Sequence, residues 1–132
     1  MFVKALKKIL VVDDDPDIVE SLKLVLEEEG YSVTTASKPD EIPNFSNGLK
    51  KNSDLPDIIL LDIFLSGNDG RQFAKELKEK EYTKKIPIIM ISAHPYALDT
   101  AKDYGADDVI SKPFNIDSLL SKVEKNISKA IN

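Results

Sequence analysis

The sequence predicts an α/β fold, a parallel five-stranded sheet with helices packed on both faces. Three observations carry this. Ile9–Val12, Asp57–Asp62 and Ile86–Ser92 are built on apolar runs rich in isoleucine, leucine and valine, which suit strands buried on both faces. Between such runs lie stretches whose apolar residues recur three and four apart, the spacing of one helix face. The two patterns alternate along the chain, and that alternation implies parallel strands joined by right-handed helical crossovers.

The first run, Ile9–Val12, ends in Asp13-Asp14-Asp15, with Pro16 next. Asp15 reads as an N-cap and Pro16 as the first helical position. Ile18, Val19, Leu22, Val25 and Leu26 form the inner stripe of this helix, and Gly30 stops it. Tyr31–Thr35 alternates and is rich in β-formers, so it is the second strand. Asp40–Lys51 is less regular. A short helix there would turn Ile42, Phe45 and Leu49 inward, with Pro43 in its first turn and Asn47-Gly48 interrupting it. Asp57–Asp62 is the third strand, which Asp57 opens without a chemical role. A loop punctuated by Gly67 leads to a helix from Asp69-Gly70 through Lys80, with Phe73, Ala74 and Leu77 inward.

Ile86–Ser92 is the fourth strand, with Pro87 tolerated near its beginning. His94-Pro95 turns the chain into a short helix over Tyr96–Tyr104, closed by Gly105. Asp108–Ser111 is the fifth strand, ended by Lys112-Pro113. Asn115 caps a last helix carrying Ile116, Leu119, Leu120, Val123 and Ile127 on one stripe. The lysine-rich stretches Lys4–Lys8 and Lys75–Lys85 read as solvated faces.

Five strands of this kind most commonly take the order 2-1-3-4-5, a flavodoxin-like (βα)5 three-layer sandwich. The 132 residues suit a single domain spanning 1–132 with its core at about 8–127, leaving no room for an output domain. A net charge of −5 disfavours direct nucleic-acid binding or an anionic membrane. The absence of cysteine excludes disulfides, thiolate metal sites and cysteine nucleophiles. No apolar run reaches membrane-spanning length and no signal peptide is visible, so no membrane insertion and a cytoplasmic location are the expectations.

In this strand order the first and third strands are neighbours, and ligands bind beyond the carboxyl ends of strands at such a switch point. Asp13 and Asp14 follow the first strand, Asp62 ends the third, Ser92 the fourth, and Lys112 follows the fifth. Asp62 is a poor helix cap, because apolar residues follow it directly. Crowded carboxylates repel one another, and a divalent cation neutralises them. Oxygen donors without cysteine favour a hard ion, magnesium first. Metal, ammonium and hydroxyl around one carboxylate suit a transferred phosphoryl group, and a carboxylate can be its covalent acceptor.

Four segments now carry a resemblance: Ile9–Asp14, Asp57–Asp62 with Gly67 and Asp69-Gly70, Ile91-Ser92-Ala93, and Lys112-Pro113-Phe114. From roughly Lys8 to Ile127 the chain resembles the receiver domains of two-component response regulators. The resemblance implies a Mg²⁺-dependent phosphoacceptor signalling domain, not an enzyme beyond its own phosphorylation and dephosphorylation. It implies that Asp62 takes the phosphoryl group from a histidine kinase phosphohistidine, and that Asp14, Asp62 and the Phe64 carbonyl bind Mg²⁺, with Asp13 acting mainly through water. It implies that Ser92 and Lys112 bind phosphoryl oxygens and that the Lys112–Pro113 bond is cis. It also implies as partners a sensor kinase or a phosphotransfer protein, and a downstream protein docked on the face of the fourth helix, fifth strand and fifth helix.

Three departures stand out. Val109 occupies the position where the family usually has an aromatic switch residue. Ser66 stands where a proline is common, which reads as a small change in loop stiffness. The segment before the third strand is longer and more broken than usual. Phe64 and His94 flank the approach of water to the phosphoryl group and read as modulators of its lifetime. A phosphohydrolase that uses an aspartate nucleophile resembles the same site, but carries a second Asp where this chain has Phe64. A flavin or nucleotide site would need glycines where Asp13-Asp14-Asp15-Pro16 stands, and a degenerate, partner-binding receiver would not keep the whole constellation.

Overall fold

The computed structural model describes residues 6–41 and 55–131. In chain order the elements are β1 (Lys8–Val12), α1 (Pro16–Glu28), β2 (Ser32–Ala36), β3 (Ile58–Asp62), β4 (Phe64–Leu65), β5 (Asn68–Asp69) and α2 (Gly70–Glu79), then β6 (Ile88–Ser92), α3 (Pro95–Ala101), β7 (Asp108–Ser111) and α4 (Ile116–Ile131). The long strands form one five-stranded sheet in the order β2-β1-β3-β6-β7, all neighbours parallel. This is the 2-1-3-4-5 order expected from the sequence, with the two-residue β4 and β5 paired separately.

Alternation along each strand divides the core between the two faces of the sheet. Leu10, Val12, Ile59, Leu61 and Met90 pack with Phe73, Ala74 and Leu77 of α2 and Ala97 and Ala101 of α3. Ile9, Val11, Ile58, Leu60, Ile89 and Ile91 pack with Leu22 and Leu26 of α1 and Leu119, Val123 and Ile127 of α4. Ile58–Leu61 are fully buried, and each such side chain contributes about 1.5–3 kcal/mol over leaving it in water. Every residue of these strands is needed by one face or the other, which is why the runs are continuous rather than alternating.

The expected caps are present. Asp15 accepts from the Asp17 and Ile18 N–H groups (3.0 and 3.4 Å), and Asn115 accepts from the Ser118 N–H (3.1 Å). Several boundaries shift for local reasons. The second strand starts at Ser32, because the Tyr31 N–H is spent on the Leu26 carbonyl at the end of α1 (3.1 Å). The fourth starts at Ile88 rather than Ile86, since Pro87 has no N–H and joins the sheet only through its carbonyl, which accepts from Ile59 (3.0 Å). The stretch after Asp62, expected as open loop, contains the antiparallel β4–β5 ribbon, reversed at Gly67 with φ +72°. The helix expected over Tyr96–Tyr104 is α3 followed by a 3₁₀ turn at Lys102–Tyr104. Ile116 is 39% exposed, because the stripe meets the sheet only from Leu119 onward.

Lys78 is not part of a purely solvated face. Its ammonium donates to the Ile86 carbonyl (2.8 Å) and pairs with Asp107 (2.9 Å), joining α2 to the loop before β7. Asp57 accepts from the Lys8 N–H (2.7 Å), a structural tie at the start of β1 and β3. The Lys112–Pro113 bond is cis, as expected. The helix expected over Asp40–Lys51 lies outside the described residues, apart from a 3₁₀ turn at Pro39–Glu41. Among the described residues no helix is long and apolar enough to cross a membrane.

Gly70 opens α2 with its back against the end of β3. Its N–H donates to the Ile63 carbonyl (2.7 Å), and a Cβ there would stand 2.1 Å from the Asp62 carbonyl oxygen. The obstacle is backbone, which cannot rotate away. Gly70→Ala is expected to destabilise the fold by about 2–3 kcal/mol, the upper range for overpacking, as read by urea denaturation. An alanine variant with unchanged midpoint would show that β3 and α2 separate without cost.

Candidate functional site

β1 and β3 are paired so that Val12 lies opposite Leu61. The residues that follow, Asp13 and Asp62, therefore emerge side by side at the carboxyl edge of the sheet. Lys112 follows β7, its N–H donating to the Ser92 carbonyl of β6 (2.9 Å). From there its side chain reaches back across the sheet end. The ammonium lies 3.1 Å from Asp13 Oδ2 and 3.0 Å from Asp62 Oδ2. Both carboxylates are nearly excluded from water, Asp13 at 2% and Asp62 at 6% exposure.

The remaining oxygens also have partners. Asp13 Oδ1 accepts from the Asp15 N–H (2.9 Å), and Asp62 Oδ1 from the Phe64 N–H (3.2 Å). Asp14 is held differently. Its Oδ2 accepts from both the N–H (2.9 Å) and the hydroxyl (2.6 Å) of Ser66. Asp13, Asp14 and Asp62 each bring a carboxylate oxygen within 4.8 Å of the other two.

Burial and the adjacent Asp13 carboxylate push the Asp62 carboxyl above its ordinary range, and the hydrogen bond from Lys112 only partly opposes them. Burial pulls the Lys112 ammonium down, but the carboxylates of Asp62 and Asp13 together outweigh it and hold it above its usual value. Both partners of one ion pair thus shift upward. A single ammonium shared by two carboxylates explains this, since it is over-supplied with anions while each anion is under-supplied with cation. Asp14 sits below the ordinary carboxylate range, chiefly because of the Ser66 hydroxyl.

The predicted residues Asp13, Asp14, Asp62 and Lys112 thus come together in one cluster. Ser92 is buried at the next strand end, and its hydroxyl accepts from the His94 N–H (3.0 Å). Phe64, 45% exposed, meets the His94 ring edge-to-face with centroids 4.8 Å apart, and Tyr96 lies 5.8 Å beyond His94. Val109 is half-buried against the core on the α2–α3 side. Two contributors were not legible as site residues. Ser66 does more than alter loop stiffness, because it holds Asp14. Arg71 pairs with Asp69 (3.0 Å), donates to the Thr100 hydroxyl on α3 (3.1 Å) and lies 5.5 Å over the Tyr104 ring. The sequence signal for Ser66 was the missing proline; Arg71 left none.

The donor set fits a hard divalent cation. It consists of oxygens, it carries more negative charge than Lys112 balances, and Asp14 faces the edge where solvent enters. Asp13 and Asp62 have both oxygens partnered within the protein, whereas both Ser66 bonds to Asp14 fall on one oxygen, so Asp14 is the most open donor of the three.

Residues 9–124 match the response regulator receiver domain family. Over 120 residues the chain is 37% identical to the phosphate regulon transcriptional regulatory protein PhoB of Escherichia coli (strain K12), a match that takes in 89% of this chain and 50% of that protein. The chain thus spans about half the length of the curated relatives it matches. Its structure is similar to that of a putative response regulator from Chloroflexus aurantiacus, with TM-score 0.83, 32% identity, and coverage of 94% of this chain and 99% of that one. It is also similar to the chemotaxis protein CheY4 of Vibrio cholerae, with TM-score 0.79, 28% identity, and coverage of 92% and 98%.

The upward shift of Asp62 has a consequence for stability. The fold holds its carboxyl above the unfolded chain's value, so ionisation at neutral pH costs stability. Asp62→Asn removes that cost and is expected to raise the melting temperature at pH 7. The gap should close as the pH falls below the ordinary carboxylate value of 3.8, where both folded and unfolded chains carry Asp62 neutral. A lower melting temperature for the variant at pH 7 would mean that the Lys112 pairing outweighs burial and repulsion.

Proposed function

The chain belongs to the response regulator receiver domain family, and from that premise we propose that Asp62 is its phosphoacceptor, with Lys112 and Ser92 assisting and Mg²⁺ as cofactor. The observation that carries the reading is the Lys112 ammonium lodged between the buried Asp13 and Asp62 carboxylates, with Asp14 completing an acidic cluster. A histidine kinase or phosphotransfer protein presents a phosphohistidine. An Asp62 oxygen attacks the phosphorus, the P–N bond breaks as the P–O bond forms, and the electron pair leaves on the imidazole nitrogen. Asp62 then no longer carries its own anion, and the charge moves outward onto phosphoryl oxygens. Lys112 follows it, and the Ser92 hydroxyl donates a hydrogen bond to another phosphoryl oxygen. Asp14, Asp62 and the Phe64 carbonyl would hold Mg²⁺, with Asp13 acting through water, and the ion would supply charge neutralisation when bound.

Receiver domains are signalling domains, and the only chemistry proposed for this chain is gain and loss of its own phosphoryl group. Val109 gives no ring to rotate, so the response is assigned to the Ser92–His94 loop and α3, with output through the α3–β7–α4 face, the fourth helix, fifth strand and fifth helix of the sequence reading. Arg71 supports this route, because it ties Asp69, just after the acceptor loop, to Thr100 of α3. Tyr96, 69% exposed at the start of α3, offers a partner an apolar contact.

The test is incubation with acetyl phosphate and Mg²⁺, followed by intact-mass measurement. A gain of one phosphoryl group in the wild type and none in Asp62→Asn is expected. Modification of the Asp62→Asn protein to the same extent would move the acceptor elsewhere.

The phosphoryl lifetime follows from the Phe64–His94 contact. The two rings meet edge-to-face, one two residues past Asp62 and the other two past Ser92, and we assign them to the path by which water reaches the phosphorus in line. Phe64→Asn opens that approach and removes the edge-to-face partner of His94. Its phosphoryl decay, followed under saturating Mg²⁺, is expected to be faster by up to roughly tenfold, the effect of about 1.4 kcal/mol on a barrier. Decay at the wild-type rate would place control of water access elsewhere.

A further inference from the structure

We infer that Ser66 is a positioning residue for the metal ligand Asp14, a role that rests on the proposed Mg²⁺ site. Asp14 is the one member of the acidic cluster that Lys112 does not pair with. Lys112 takes Asp13 and Asp62, and the two donors on Asp14 come from Ser66, 52 residues away on the turn between β4 and β5. Both donors fall on Oδ2. The carboxylate is thereby pinned in one rotamer with Oδ1 left out of the Ser66 contact, and it bridges the loop after β1 to the loop after Asp62.

Without this tether Asp14 would be a half-buried side chain at the rim, repelled by Asp13 and Asp62. Its turning away would relieve the repulsion and dismantle the cluster. The Ser66 bonds oppose that, so the cation meets a ligand already in place. Hydrogen bonds to ligating carboxylates characteristically act this way, and their loss typically costs about 10- to 100-fold in metal affinity. A proline at position 66 has neither an N–H nor a hydroxyl and can make neither bond. Gly67, at φ +72°, stands third in the turn, in the pattern of a type II turn whose second position accepts proline. Replacement therefore tests the tether without breaking the turn.

Mg²⁺ affinity of the metal-free protein, read from amide chemical shifts during titration with MgCl₂, decides the matter. Ser66→Ala, which keeps the N–H, is expected to bind Mg²⁺ about tenfold more weakly, and Ser66→Pro more weakly still. Ser66→Thr keeps both donors and should restore near wild-type affinity. In an Asp14→Ala background Ser66→Ala should have no further effect, because the two act as one unit. Melting curves without Mg²⁺ identify any variant that fails to fold, and the alanine–threonine pair then carries the comparison. Wild-type affinity in both the alanine and proline variants would overturn the inference while leaving the metal site intact. A wild-type protein whose shifts ignore Mg²⁺ would overturn the site and the inference together.

Discussion

One ammonium between two buried carboxylates organises this molecule's working end. Lys112 is 99 residues from Asp13 and 50 from Asp62, yet the parallel sheet delivers all three to the same edge. Buried ions are costly to desolvate, and a single cation cannot satisfy two anions. The arrangement is therefore held together while remaining short of positive charge, which suits a site that gains a cation and then a phosphoryl group. The raised Asp62 carboxyl reflects that shortage, whereas Asp14 is relieved by the two donors of Ser66.

The rest of the fold keeps that edge rigid. Four consecutive buried residues before each of Asp13 and Asp62 lock the strand ends in register. Gly70 lets α2 start directly against the peptide of Asp62. Beyond the site, Arg71 carries the connection on to α3 and Tyr104, through an ion pair, a hydrogen bond and a cation–π contact. From α4, Lys122 donates to the Val109 carbonyl (2.6 Å) and Asn126 to Asp108 (3.0 Å), fastening the helix to β7. The α3–β7–α4 face is thus joined to the site at one end and to the sheet along its length.

Strand order, helix faces, caps at Asp15 and Asn115, and the candidates Asp13, Asp14, Asp62, Ser92 and Lys112 were readable from the chain alone. Each depends on local periodicity or on which residue ends a buried run, and those are properties of short segments. Ile116 and Lys78 were misread for the complementary reason. Whether a residue on a helix stripe is covered, or a lysine finds carbonyls, depends on where the neighbouring element stops.

What only the tertiary structure decided is which side chains meet across long separations. Ser66 in sequence is a missing proline; in space it holds Asp14. Phe64 and His94 are separate positions in the chain, but their rings touch. Arg71 left no signal in the sequence, and becomes a bridge only once α3 packs beside it. The sequence by itself determined the strands and what stands at their ends, because burial and hydrogen bonding act over a few residues at a time. The partners of those end residues required the assembled sheet, because a hydrogen bond of 3 Å between segments 52 residues apart is set by the packing of every strand between them.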